Sequence, residues 1–217
     1  MTSPITKIYN SLIRPYTPKK IASFNGVPVR GVHLLDATDE FPEYEAALLE
    51  GIRSSVESNN TVVVVGGGRG VSSVVAARQS APNGHVTTYE GGAERVRVAR
   101  ETAVLSRVAD SVSIEHGIIG SGIDIAGDGS DAISLEPDAL PECDTLILDC
   151  EGAELEILES LDQRPQSIIV ETHAFLDSPE SAVRTKLDDI GYTIVNRGVE
   201  LDEKGVYVLT AVRSEDK

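Results

Sequence analysis

The sequence contains no tryptophan, only three phenylalanines and only two cysteines, Cys143 and Cys150, among its 217 residues. Two cysteines are too few for a disulfide-built scaffold and fit a reducing compartment, so we expect a cytoplasmic protein. No apolar run reaches the roughly 18 residues that a membrane-spanning helix needs. The opening residues, MTSPITKIYN, also lack the continuous apolar core and the small-residue cleavage site of a secretory signal.

Positive charge is scarce, because 19 basic residues stand against 35 acidic ones and the net charge is −16. This balance argues against a nucleic-acid binder, since contacts with phosphates need clustered lysines and arginines. Only 6 of the basic residues are lysines. An acidic surface with few lysines favours a salt-adapted protein, with an ordinary acidic protein as the alternative.

The charge is unevenly distributed along the chain. Residues 1–110 have a net charge of +1, residues 111–217 have −17, and residues 1–35 carry five basic groups and no acid. We therefore predict an N-terminal basic extension over residues 1–40 and one domain over residues 41–217. Apolar side chains at helical spacing between Ile5 and Tyr16 indicate a short amphipathic helix. Residues 1–20 could dock on a membrane surface or a partner protein, or simply lie on their own domain.

Helical and strand patterns alternate from residue 42 onward. We predict strands at residues 61–65, 85–90, 112–116, 145–149, 167–172, 192–196 and 206–212, with a helix over 42–59 before the first. Helices after the first, second, fourth and fifth strands indicate an α/β fold with a doubly wound, mostly parallel sheet. The last two strands have no helix between them and should form an antiparallel hairpin. Such sheets bind ligands at the carboxyl ends of their strands.

Glycines follow the first predicted strand of this sheet, at Gly66, Gly67, Gly68 and Gly70. Their spacing is G-x-G-x-G, whereas the third glycine of the dinucleotide fingerprint G-x-G-x-x-G would fall at Val71. The spacing is typical of S-adenosylmethionine (SAM) methyltransferases. A tight turn that binds no ligand is the structural alternative.

Acidic residues follow the second and fourth strands. The carboxylate of Glu90 could accept hydrogen bonds from a ribose diol, a device that NAD enzymes share, so it supports a nucleoside without choosing one. Asp149 lies at the end of the fourth strand. We predict cofactor contacts from the glycines and from both acids, and the full set is Gly66, Gly67, Gly68, Gly70, Glu90 and Asp149.

Three residues are candidates for the chemistry: Asp149, Glu151 and His173, which follow the fourth and fifth strands and should converge. His173 could act as a general base or could position the acceptor. A histidine and two acids could also hold a hard divalent metal, although we assign no metal site here. Glu151 could instead be an acid at a helix start.

Four segments together resemble the FkbM-type SAM-dependent methyltransferases: VVVVGGGRGVSS, TTYEGG, LILDCEGAELEIL and IIVETH. The most specific piece is D-x-E-G-A-E-x-x-x-L at residues 149–158, and the resemblance covers residues 40–212. It implies a class I, Rossmann-like methyltransferase sheet of seven strands. It also implies SAM bound by the glycine loop and Glu90, with methyl transfer to a hydroxyl oxygen of a small molecule or glycan.

One position departs from the class I pattern, because Val64 stands where many of these enzymes have an acid two residues before the first motif glycine. This departure leaves room for a SAM-binding scaffold without turnover. An NAD-dependent oxidoreductase is a weaker alternative, since the third fingerprint glycine is missing. No recognisable motif in the sequence indicates the oligomeric state or the identity of the methyl acceptor.

Overall fold

The computed structural model describes residues 9–120 and 131–214. Its strands are β1 (Lys19–Phe24), β2 (Val27–His33), β3 (Glu40–Phe41), β4 (Thr61–Val65), β5 (His85–Glu90), β6 (Val112–Ile119), β7 (Ile133–Leu135), β8 (Thr145–Leu148), β9 (Ser167–His173), β10 (Tyr192–Leu201) and β11 (Val206–Arg213). The α-helices are α1 (Ala46–Ser55), α2 (Val71–Ser80), α3 (Ala93–Leu105), α4 (Glu154–Glu159) and α5 (Glu180–Asp189). None of the helices in these ranges is long and apolar enough to cross a membrane.

The main sheet has eight strands in the order β10-β11-β9-β8-β4-β5-β6-β7. Strands β4 to β9 run parallel to one another, whereas β11 pairs antiparallel with both β9 and β10. The predicted doubly wound α/β sheet and its C-terminal hairpin are therefore confirmed. The resemblance implied seven strands, and the additional one is β7, which pairs with β6 from Gly117 onward. A three-residue strand is too short to show a pattern in the sequence.

Strand β4 is buried on both faces, which explains its unbroken run of valines. Val62 and Val64 belong to one hydrophobic cluster, together with residues of α1, α2 and α3. Val63 and Val65 belong to a second cluster, together with residues of α4 and α5. Successive side chains of a strand point to opposite faces, so helices cover both sides of the sheet. The order of the strands reverses at β4, between β5 and β8.

The N-terminal region contains a second sheet with the order β2-β1-β3. Sequence analysis predicted no strand there, because Pro28 and Gly31 interrupt the apolar pattern. Phe24, Val27 and Val29 are nonetheless buried in the same cluster as α2 and α3. The predicted boundary at residue 40 falls inside β3, and the division into extension and domain stays a prediction.

Helix α1 is shorter than the predicted range of residues 42–59. It begins at Ala46, directly after Glu45, whose φ of 46° is left-handed and incompatible with a continuing helix. It ends at Ser55, and Val56 is already extended. The left-handed turn at Glu45 directs the chain between α1 and the second sheet, which the sequence pattern of α1 did not indicate.

The basic residues in the described part of the N-terminal region form ion pairs with acids of the same chain. Lys19 lies 3.4 Å from Glu94, and Arg30 Nε lies 2.6 Å from an Oε of Glu101, so both join the second sheet to α3. Arg14 is paired with Asp36 at 2.9 Å. Exposed pairs contribute at most about 1 kcal/mol each, so they orient the sheet more than they stabilise it.

The predicted docking segment of residues 1–20 is only partly described, since residues 1–8 lie outside the described ranges. Tyr9–Ile13 forms a π-helical turn and Arg14–Tyr16 a 3-10 turn, in place of the longer helix that the spacing indicated. Leu12 and Tyr16 are exposed. Docking through this segment stays a prediction.

The second sheet is expected to unfold together with the main sheet, because it shares a hydrophobic cluster with α2 and α3. Phe24 is 5% exposed and stacks on Phe41 at 4.6 Å between ring centroids. Phe24→Ala should therefore lower the free energy of unfolding by about 3–5 kcal/mol, measured in urea. Tyr16→Ala removes a ring that is 86% exposed and should change it by less than about 0.5 kcal/mol. Equal effects of the two substitutions would contradict the shared core.

Candidate functional site

A cavity of about 240 Å³ opens at the carboxyl ends of β4, β5, β8 and β9. This is the edge at which the order of the strands reverses, where sheets of this type bind ligands. Five carboxylates line it, together with one histidine and one arginine. The lining consists of Glu45, Val65, Gly66, Gly68, Tyr89, Glu90, Gly91, Arg95, Gly117, Ile118, Ile119, Asp149, Cys150, Glu151, Glu171 and His173.

The glycine loop after β4 forms one wall of the cavity. Gly66 has a φ of +90°, and a Cβ there would collide with the main-chain oxygen of Asp149. Gly70 has a φ of +81° directly before α2, and a Cβ there would lie 2.9 Å from Cα of Ala99 in α3. These positions therefore need glycine both for the backbone conformation and for close packing.

Glu90 holds the glycine loop from the neighbouring strand β5. Its carboxylate accepts hydrogen bonds from the main-chain N–H of Gly68, at 2.6 Å, and of Gly92, at 2.7 Å. The residue is only 6% exposed. An ionised carboxylate offers about four lone-pair sites, so each oxygen can accept a further bond from a ligand.

Arg69 within the glycine loop connects the site to the second sheet. Its guanidinium carbon lies 5.3 Å from the ring centroid of Phe24 and 5.8 Å from that of Tyr44. These are cation–π distances, so the second sheet supports the loop from behind. Sequence analysis assigned Arg69 no role, since its aromatic partners come from a region where no strand was predicted.

The structure brings together Asp149 and His173, two of the three predicted catalytic residues. His173 Nε2 lies 3.9 Å from Oδ1 of Asp149 and 3.4 Å from Oε1 of Glu171. Glu171 and His173 are alternate residues of β9 and point to the same face of the sheet. That alternation was the signal in the sequence that could have added Glu171 to the predicted site.

Glu154, the first residue of α4, supports His173 from the other side of the imidazole ring. Its Oε1 lies 2.9 Å from Nδ1 of His173, and its carboxylate also accepts the N–H of Gly152 at 3.0 Å. The Glu154 side chain is fully buried. Sequence analysis assigned it no role, although it is the third acid of the D-x-E-G-A-E stretch, after Asp149 and Glu151.

The pKa of His173 opposes a role as general base in this arrangement. Burial lowers this pKa, but hydrogen bonds to Glu154 and Glu171 and the charge of Asp149 outweigh burial and raise it to about 10. Burial raises the pKa of Glu154, yet the hydrogen bond from His173 leaves it below its usual value. At neutral pH the pair is therefore an imidazolium and a carboxylate, and an imidazolium does not accept a proton.

Burial and neighbouring carboxylates raise the pKa values of two other acids of the cavity, Asp149 and Glu45. Burial, followed by the charges of Glu171 and Glu45, raises the pKa of Asp149 well above its usual value. Burial raises the pKa of Glu45 to about 7, with a further contribution from Glu171 and an opposing hydrogen bond from Tyr44. The cavity therefore holds more carboxyl groups than its own histidine can pair with.

Glu151 lines the cavity but does not belong to the cluster around His173. Strand β8 ends at Leu148, and Glu151 has a left-handed φ of 51° in the turn that follows. Glu151 is not an acid at the start of a helix, which was the alternative role considered for it, because α4 begins three residues later, at Glu154. Neighbouring Cys150 is a poor nucleophile, since burial and the charges of Glu154 and Asp149 raise its thiol pKa.

The sequence matches no family model and no curated protein. Solved structures do match the fold. The ribosomal protein L11 methylase of Lactobacillus delbrueckii subsp. bulgaricus is 16% identical, with a TM-score of 0.58 and 80% of each chain covered. The precorrin-6y C5,15-methyltransferase of Geobacter metallireducens GS-15 is 20% identical, with a TM-score of 0.58, 85% of this chain and 95% of that chain covered.

A third similar structure is the fibrillarin pre-rRNA processing protein of Methanococcus jannaschii. It is 13% identical, with a TM-score of 0.52, and 75% of this chain and 70% of that chain are covered. The fold is that of the class I methyltransferases. At these identities the likeness concerns the fold, and it does not support the expectation that nucleic acid is excluded as a substrate.

The close approach of Gly66 to Asp149 should make this position intolerant of any side chain. Gly66→Ala adds both an unfavourable φ and a collision with main chain, whereas Gly26→Ala adds only the unfavourable φ. Gly26 has a φ of +80°, and no described atom would lie within 4 Å of its Cβ. We expect Gly26→Ala to cost about 1–2 kcal/mol in urea unfolding. Gly66→Ala should cost at least about 1–3 kcal/mol more, and equal costs would contradict the contact.

Proposed function

We propose that this chain is a SAM-dependent methyltransferase of the FkbM type, which transfers a methyl group to a hydroxyl oxygen of a small molecule or glycan. The observation that carries the proposal is the single cavity shared by the glycine loop, Glu90 and Asp149. A nucleoside-binding wall and a wall of reactive side chains thus face the same space. The class I methyltransferase fold is consistent with this arrangement.

The cavity wall offers SAM two kinds of contact. Free lone pairs on Glu90 suit the two ribose hydroxyls, because the N–H groups of Gly68 and Gly92 already hold the carboxylate in place. The carboxylate of Asp149 suits the positive sulfonium. Val64 stands where many class I enzymes have an acid, and it is fully buried in the core. An apolar side chain suits that position, because it buries no polar group without a partner.

The FkbM-type assignment is supported by what the D-x-E-G-A-E stretch does in the fold. Asp149 faces the cavity, and Glu154 holds His173 through a hydrogen bond of 2.9 Å. The stretch therefore builds the reactive wall of the cavity rather than a surface helix. These roles of Asp149 and Glu154 give a physical reason for the presence of these two acids in the motif.

The charge of the cavity favours a neutral or cationic acceptor. Five carboxylates, one histidine and one arginine line the cavity. The carboxylates would repel the phosphates of an RNA backbone close to the reacting atoms. The similar structures include proteins whose names refer to rRNA and to a ribosomal protein. The proposed small-molecule or glycan acceptor therefore has to be tested against RNA and protein as acceptors.

The mechanism that we propose is direct displacement at the methyl carbon of SAM. The acceptor oxygen bonds to the methyl carbon and gives up its proton to solvent, while the bond from carbon to sulfur breaks and its electron pair stays on sulfur. Aligning the two reactants can account for about 7–11 kcal/mol of the barrier. We assign alignment to Asp149, Glu151 and His173, with His173 acting as a hydrogen-bond donor rather than a base.

Glu90→Gln is expected to weaken SAM binding at least tenfold, measured by isothermal titration calorimetry. The amide replaces one acceptor oxygen with an NH2 group that faces the N–H of Gly68 or Gly92, so the loop and the ribose site are both disturbed. Glu50→Gln makes the same chemical change on the exposed side of α1 and should leave SAM binding unchanged. Tight NAD binding without SAM binding would establish the oxidoreductase alternative instead.

Methyl transfer itself is expected with SAM labelled on its methyl carbon and a cell extract as the source of acceptors. The label should enter low-mass or glycan material as an alkali-stable ether. Asp149→Asn removes the charge that faces the sulfonium and should lower incorporation at least tenfold, with Glu50→Gln as the control. Label in RNA or protein would overturn the proposed acceptor. SAM binding without any incorporation would identify a non-catalytic scaffold.

A further inference from the structure

Three side chains at the carboxyl ends of β8 and β9 present metal-binding atoms to one another. Asp149, Glu171 and His173 each contribute one such atom, and these atoms all lie within 4.8 Å of one another. Adjacent ligands of an octahedral cation with bonds of about 2.1 Å are roughly 3 Å apart, and opposite ligands roughly 4.2 Å. Separations of 3.4 Å and 3.9 Å from His173 Nε2 to the two carboxylates are therefore close to those a cation requires.

The imidazole ring is oriented as a metal-bound histidine is oriented. Glu154 accepts at Nδ1, and its carboxylate is itself held by main-chain N–H groups in a fully buried position. A bound cation would displace the proton from Nε2, and the proton that stays on Nδ1 would then leave the lone pair of Nε2 facing Asp149 and Glu171. Histidines that bind metals commonly donate their other N–H to a carboxylate, which fixes the tautomer and raises ligand strength.

One oxygen of the cluster is buried without a partner. Oε2 of Glu171 makes no hydrogen bond in the described part of the chain, although the residue is 7% exposed. A proton on His173 Nε2 serves Oε1 of Glu171, at 3.4 Å, but leaves Oε2 without any partner. A cation would give Oε2 a partner if it bound both oxygens of the carboxylate. It would also do so if one side-chain torsion of Glu171 turned and Oε2 alone bound the cation.

We propose that Asp149, Glu171 and His173 form a site for a hard divalent cation of the Mn²⁺ and Mg²⁺ class. Two carboxylates and an imidazole suit this class, whereas Ca²⁺ takes six to eight oxygens. Three protein ligands leave positions open toward the cavity. Glu154 is the positioning residue that orients His173 through Nδ1.

The site also gives the proposed methyl transfer a way to activate a hydroxyl, a role that rests on the proposed function. An acceptor hydroxyl bound to the cation loses its proton more readily, and the proton passes to solvent. The resulting oxygen anion forms the bond to the methyl carbon as the bond from carbon to sulfur breaks. No protein base is needed in this sequence of events, which agrees with His173 as a metal ligand.

The test measures Mn²⁺ binding to the full chain by electron paramagnetic resonance in 0.5 M NaCl. The chain is first treated with a chelator, and no SAM is present. We expect one equivalent to bind, Mg²⁺ to displace it, and Glu171→Gln and His173→Gln to weaken binding at least tenfold. Glu154→Gln should weaken it about 10- to 100-fold, as loss of an orienting carboxylate does. Glu50→Gln, an equal loss of charge on the surface, should bind as the unsubstituted chain does.

Thermal unfolding separates loss of the site from loss of the fold. Glu171→Gln removes one of several crowded negative charges, so the metal-free variant should melt no lower than the unsubstituted chain. Saturating Mn²⁺ should raise the melting temperature of the unsubstituted chain but not of Glu171→Gln. Equal Mn²⁺ affinity in all variants, or no stoichiometric binding, would overturn the site. Since the test contains no SAM, such a result would leave the proposed methyl transfer standing, and absent transfer would leave the site standing.

Discussion

The contact on which the site depends is the approach of the Gly66 main chain to the main-chain oxygen of Asp149. Strands β4 and β8 are neighbours up to this point, where the N–H of Asp149 still donates to the oxygen of Val65 at 2.9 Å. Beyond it the two chains separate, one toward α2 and the other toward α4. The cavity opens where they separate, so the glycine loop and the side chains of Asp149 and His173 can line the same space only because residue 66 has no side chain.

Electrostatic strain is concentrated in that same cavity. Buried charges are costly unless they are paired, and here the carboxylates of Asp149, Glu171 and Glu45 share the surroundings of one imidazole. Burial, together with that crowding, raises the pKa values of Asp149 and Glu45. Other described charges form exposed ion pairs, such as Lys19 with Glu94, which carry no such cost. The crowded carboxyl groups of this one cavity are the feature on which the proposed cation site depends.

Much of the main sheet could be predicted from the sequence because its strands are short, apolar and bounded by glycine or polar residues. The strand Thr61–Val65 and the strand His85–Glu90 agree with the predicted residues 61–65 and 85–90. The same reasoning missed the second sheet, where apolar residues alternate irregularly around Pro28 and Gly31. Its strands are stabilised by packing on α2 and α3, which no local pattern reveals.

The site was predictable to a similar degree, and for a related reason. Glu90, Asp149 and His173 follow strands, and the carboxyl ends of parallel strands meet at one edge, so strand order sufficed to place them near one another. Glu45 and Arg69 were missed, since their roles depend on where the second sheet and α1 pack. Glu154 was missed because its side chain points back from a helix toward β9.

The sequence by itself determined the alternating α/β fold, the C-terminal hairpin and the glycine loop, since these follow from local periodicity and from the conformational freedom of glycine. Only the tertiary structure decided that the acids behind the net charge of −16 include five that line one cavity together with a buried histidine. It also decided that the basic residues near the N-terminus pair with acids of their own chain. The physical reason is that charge interactions depend on separation in space and on burial, neither of which a linear pattern contains.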